Sequence, residues 1–108
     1  MYELREVSPQ QFKALAEEDG AVTLLDIREE WELALASVAG ATHMPMGQVP
    51  DRMTELKSEE TIVVMCHHGS RSATVAGFLM RNGFTRVLNL TGGIDAWARD
   101  LDPNVPSY

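Results

Sequence analysis

The stretch Cys66-His67-His68-Gly69-Ser70-Arg71-Ser72 gathers the sequence's one thiol, two imidazoles, two hydroxyls and a guanidinium. It follows Thr61-Ile62-Val63-Val64-Met65, whose β-branched residues predict a buried strand. It precedes a helix expected over 71–82. A thiol between a strand end and a helix start meets the helix's first N–H groups. These lack partners inside the helix and carry the positive end of its dipole. Gly69 lets the backbone turn sharply, so that successive N–H groups converge on one point and form an anion-binding concavity. A sulfur at its centre is favoured as thiolate, the nucleophilic form. Arg71, His67 and His68 can add positive charge nearby. Ser70 or Ser72 can cap the helix or donate a hydrogen bond.

Other chemistries compete for the same residues. A lone cysteine is more often an inert core residue. Here the residues after Cys66 include no large aliphatic to wall it in, and a position just past a strand lies at a rim. Metal ligation would have to use Cys66, His67 and His68, which are adjacent and lack the ligand spacing of structural zinc sites. No metal or cofactor is therefore expected. A cysteine-protease arrangement would have to recruit His43 from elsewhere in the chain.

The elements that must hold this loop alternate along the chain. Tyr2 to Val7 reads as a short strand. Ser8, Pro9 and Gln11 then mark a helix start with a capping box, and Phe12, Leu15 and Ala16 give that helix an apolar face. Asp19-Gly20 ends it. Ala21 to Leu25 is a second strand, and Glu29 to Ala36 a helix with Trp31, Ala34 and Leu35 on one side. Gly40 to Pro45 turns into a short extended piece, and Val49, Met53 and Leu56 suggest a short helix. After the loop, Val75, Phe78 and Leu79 sit at core spacing, and Gly83 stops the helix. Arg86 to Leu88 is a last strand, followed by a turn at Thr91-Gly92-Gly93 and a helix bearing Ile94, Trp97 and Ala98. Trp31, Phe78, Trp97 and the methionines read as core. Pro103 and Pro106 mark a non-helical tail.

Alternating strands and helices predict an α/β domain with a central, mostly parallel sheet flanked by helices on both faces. Asp26-Ile27-Arg28, Cys66 to Arg71 and Leu90 to Gly93 all follow strands, so they meet at the rim where such sheets bind ligands. Asp26 and Arg28 read as an ion pair that also caps the next helix. The 108 residues suit one domain, 1–108. The formal charge of −7 argues against general binding to nucleic acid or to anionic membrane surfaces. No run is apolar enough to span a bilayer. One free thiol and no export signal suggest a reducing, cytoplasmic setting.

The loop resembles the Cys-x-x-Gly-x-Arg-Ser active-site loop of the rhodanese family of sulfurtransferases. Leu25-Asp26-Ile27-Arg28-Glu29 is similar to the family's Asp-Val-Arg-Glu segment. Gly40-Ala41-Thr42-His43-Met44-Pro45 is similar to its Gly-Ala-x-x-x-Pro turn, and Gly92-Gly93-Ile94-Asp95-Ala96-Trp97 to its Gly-Gly-x-x-x-Trp ending. The four matches run in order along almost the whole chain. The resemblance implies a rhodanese-like domain in which Cys66 is catalytic and takes sulfur from thiosulfate or another sulfane-sulfur donor. It implies that His67, His68, Gly69, Ser70 and Arg71 bind the substrate. The persulfide would then pass its sulfur to cyanide, a small thiol, thioredoxin or a sulfur-carrier protein.

The family's usual His and Pro before this turn are Ser37 and Ala39 here, which should affect local packing and leave the chemistry intact. Asp102 to Tyr108 resembles endings found on rhodanese domains fused to other enzymes. That keeps a persulfide carrier in a sulfur relay as an alternative. A small cysteine phosphatase or arsenate reductase is a further one. Those relatives have a loop one residue longer than the six positions from Cys66 to Arg71, and the chain has no second cysteine.

Overall fold

The computed structural model describes residues 4–18 and 20–108. Its strands are β1 (Arg5–Val7), β2 (Val22–Asp26), β3 (Thr42–His43), β4 (Thr61–Met65) and β5 (Val87–Leu90). They form one sheet in the order β1-β5-β4-β2-β3, with every pairing parallel. The helices are α1 (Pro9–Glu18), α2 (Glu30–Leu35), α3 (Val49–Arg52), α4 (Ser70–Arg81) and α5 (Gly93–Asp100), with 3-10 turns on either side of α3. The first strand appears at Arg5–Val7. The expected strand start at Tyr2 and helix end at Asp19 lie outside the described residues.

β4 is buried along its whole length, and its period-two alternation divides the core. Ile62 and Val64 face a cluster with Leu25, Val75, Leu79 and Phe84, under α4. Val63 and Met65 face a second cluster with Phe12 of α1, Ile94 and Ala98 of α5, and Val105. Each such aliphatic side chain contributes roughly 1.5–3 kcal/mol when fully buried. The helices therefore cover both faces. The chain leaves β2 toward β3 and β4 toward β5, in opposite directions across the sheet. Open parallel sheets bind ligands where such connections diverge, which here is beyond the carboxyl ends of β2 and β4.

Local signals explain the element starts. Ser8 and Gln11 exchange backbone–side-chain hydrogen bonds at 2.8 and 3.1 Å, forming the anticipated capping box of α1. Past α4, Gly83 takes φ +94°, and the N–H groups of Gly83 and Phe84 close onto the carbonyls of Met80 and Leu79.

Helix α2 departs from the expectation. Trp31 is 64% exposed and Leu35 50%, whereas Glu32 is buried at 2%. The reason lies beneath the helix. Arg28 is fully buried, pairs with Asp26 at 2.7 Å, and donates to the carbonyls of Glu32 and Ala36. A buried guanidinium thus collects the carbonyls at the end of α2, and polar contacts replace an apolar face. Asp26 and Arg28 form the predicted ion pair, but the cap is made by Glu29 and Glu32 in a reciprocal box.

Candidate active site

Cys66 is the first residue past β4 and is 1% exposed. The open rim position expected for it is corrected: the sulfur lies at the floor of the loop, with apolar residues of the first cluster below it. The loop closes over it with polar groups. Gly69 donates its N–H to Sγ at 3.0 Å, and the Ser72 hydroxyl lies 3.3 Å from Sγ. Gly69 stands at the N-cap of α4 with φ +113°, in the left-handed region that favours glycine.

The N-terminus of α5 orients the loop backbone. Ile94 and Asp95 donate their N–H groups to the carbonyls of Cys66 and His67, at 2.9 and 3.1 Å. No cis peptide occurs among the described residues. In a trans peptide the C=O and the following N–H point in opposite directions. Tying both carbonyls to α5 therefore turns the N–H groups of His67 and His68 away from that helix. Close approach is required for this. A Cβ on Gly93 would come within 2.6 Å of the His67 carbonyl carbon.

The guanidinium of Arg71 points at α2. It donates to both carboxylate oxygens of Glu32, at 2.7 and 2.8 Å. This pairing holds the Glu32 carboxyl down at about 2, against the opposing effect of burial. It also raises the Arg71 guanidinium above its usual range, chiefly through the same hydrogen bonds. Tyr108 completes the group. Its hydroxyl donates to Glu32 Oε2 and accepts from Arg28 Nη1, each at 2.8 Å. Burial pushes the Tyr108 phenol up, while the Arg28 hydrogen bond pulls the other way.

His67 lies between two rings. Its centroid is 3.9 Å from that of Tyr108, with the planes 4° apart, and 3.9 Å from that of His68. Its Nε2 is buried without a hydrogen-bond partner among the described residues. His68 and Ser70 are exposed. His67, His68 and Asp95 bring potential ligand atoms within 4.8 Å of one another, an adjacency that spacing cannot anticipate because Asp95 comes from α5. His43 is held elsewhere, with Nε2 2.6 Å from the Arg28 carbonyl oxygen.

Three participants escape sequence reasoning. Glu32 has no apolar or motif signal of its own, although its spacing from Glu29 suits a capping box. Asn89 is a polar residue in the short strand β5, buried and bound to Ser72. Its Nδ2 also donates to the Gly69 carbonyl at 3.1 Å. A buried amide in an apolar strand was the available signal. Tyr108 carries no signal of its own, since its partners come from positions far up the chain.

Residues 8–100 match the family model for the rhodanese-like domain. The chain is 44% identical over 78 residues to a "Sulfurtransferase" of Allochromatium vinosum, covering 72% of this chain and 73% of that one. It is 38% identical over 103 residues to "Thiosulfate sulfurtransferase GlpE" of Actinobacillus pleuropneumoniae, covering 95% and 94%. The crystal structure of a rhodanese-related protein from Thermoplasma volcanium superposes with a TM-score of 0.80 at 30% identity, covering 96% of this chain and 99% of that one. Among the described residues, no helix is long and apolar enough to cross a membrane. With matches over this much of its length and the same parallel fold, the chain belongs to the rhodanese-like domain family, alongside proteins named as sulfurtransferases.

Proposed function

We propose that this protein transfers a sulfane sulfur from thiosulfate to a thiophilic acceptor through a persulfide on Cys66. The observation that carries the reading is the sulfur's setting at the strand end, with the Gly69 N–H and the Ser72 hydroxyl aimed at it.

The Cys66 thiolate attacks the outer sulfur of thiosulfate. A new S–S bond forms, the old one breaks, and sulfite leaves with the electron pair. The product, Cys66–S–S⁻, keeps its negative charge among the loop's N–H groups. Cyanide or a thiolate then attacks the outer sulfur, and the Cys66 thiolate is the leaving group. With cyanide the product is thiocyanate. This is covalent catalysis, which splits one transfer into two easier displacements. The backbone dipoles of the loop stabilise both anions without reorganising.

In this reading His67, His68, Gly69, Ser70 and Arg71 bind the donor chiefly through backbone N–H groups. The Arg71 side chain anchors the loop to Glu32. Thiocyanate production from thiosulfate and cyanide tests the proposal. Wild type turns over and Cys66→Ser does not. Turnover retained in Cys66→Ser would overturn it.

A further inference from the structure

Resting on that reading of the loop, we infer that Tyr108 is a positioning residue whose ring clamps His67 and so holds the Cys66 loop in its anion-binding form. Three elements converge on this one side chain. Its hydroxyl bridges Arg28, at the exit of β2, and Glu32 of α2, each at 2.8 Å. Its ring lies parallel to His67 of the loop at 3.9 Å, and the Arg28 guanidinium carbon stands 5.7 Å from its centroid. The ring's orientation is therefore fixed by two buried charged groups, and it is presented flat to the loop.

The position of Tyr108 is itself supported. Val105 is buried in the second core cluster, and Tyr108 packs against that cluster. The Asp102 carbonyl accepts from the Val105 N–H at 3.1 Å, which bends the segment back over the sheet. The segment after α5 thus runs as a strap from the core to the loop.

His67 needs such a buttress. Its carbonyl is taken by α5, but among the described residues its side chain has no hydrogen-bond partner at Nε2. Ring contacts hold the imidazole from its two faces, and the outer one, His68, is exposed. Removing Tyr108 leaves His67 held by its carbonyl and by the exposed His68 ring. The N–H groups of His67 and His68 then lose their fixed aim. Anion binding depends on that aim, since small displacements of positioned groups are costly. The hydroxyl reaches the loop a second way, because Glu32 Oε2 also receives Arg71.

The test compares Tyr108→Phe, which keeps the ring, with Tyr108→Leu, which removes it. Hydrogen exchange of the loop amides 67–69 reads the clamp without any sulfur transfer. Steady-state kinetics with thiosulfate and cyanide reads its consequence. Tyr108→Leu is expected to speed exchange in the loop about tenfold and to raise KM for thiosulfate by about tenfold, with a smaller change in kcat. Exchange in β4 and β5 stays unchanged. Tyr108→Phe is expected to stay within about threefold of wild type on both readouts. Wild-type loop exchange and KM in Tyr108→Leu would overturn the inference. So would a loss in Tyr108→Phe equal to that in Tyr108→Leu, or faster exchange spread evenly over β4, β5 and the loop. If wild type itself failed to turn over, the sulfur-transfer reading would fall, while the exchange result would still decide the clamp.

Discussion

Arg71 gives both terminal nitrogens of its guanidinium to Glu32, at 2.7 and 2.8 Å, and so ties the first turn of α4 to α2 instead of pointing its charge at Cys66. The pair makes stability depend on acid. The Glu32 carboxyl is held at about 2 against an ordinary 4.5. A depressed folded value stabilises the fold above the unfolded value, and the contribution is lost as pH falls through the folded one. The contribution at neutral pH is about 2 kcal/mol, after discounting for solvent around the partly exposed Arg71. Urea unfolding of wild type and Glu32→Gln should differ by that amount at neutral pH and converge between about pH 4.5 and 2. A difference independent of pH would contradict this account.

Gly93→Ala should disable the site more than it disables the fold. Its φ is +60°, and the added methyl would press on the carbonyls of Cys66 and His67. Backbone on both sides leaves little room to yield. Strain of roughly 1–3 kcal/mol is expected in thermal unfolding. Turnover should fall by about a hundredfold, because the loop carbonyls that aim the N–H groups are displaced. Activity close to wild type would show that the approach of α5 does not set the loop.

Ser72→Ala removes a hydroxyl that lies against Sγ, the Gly69 carbonyl and Asn89 Oδ1. One hydroxyl proton serves one acceptor at a time, so it can turn toward sulfur when the thiolate forms. Without it, Asn89 Oδ1 is left buried without that donor, at a cost of about 1–3 kcal/mol. Single-turnover transfer from the persulfide to cyanide should slow about tenfold or more, because the departing thiolate loses a donor. An unchanged rate would remove Ser72 from the account.

Trp31 supplies the contrasting case. It is 64% exposed on α2, so Trp31→Gln should change stability by no more than about 0.5 kcal/mol. A loss of about 3 kcal/mol, the cost of truncating a buried aromatic, would mean that the helix packs by its apolar side after all.

The sheet and the loop were readable because their signals are local. Thr61–Met65 announces a buried strand by composition, and Gly69 and Gly83 mark turns by what only glycine does cheaply. Helix α2 forms where expected, but the side it buries differs for a physical reason. Trp31, Ala34 and Leu35 have helical spacing, but a buried Arg28 docks the helix through its carbonyls, and no local pattern reports that. The burial of Cys66 also depends on a distant element, since α5 lies against the loop's back. Tyr108, Glu32 and Asn89 join the site only once the chain has folded.

The measurement that tests the central claim most directly is the intact mass of the protein after thiosulfate and again after cyanide. Wild type should gain about 32 Da, one sulfur on the nucleophilic cysteine, and lose it to cyanide, while Cys66→Ser should show neither change. A wild-type mass unaltered by thiosulfate, or the same gain in Cys66→Ser, would contradict a Cys66 persulfide as the carrier.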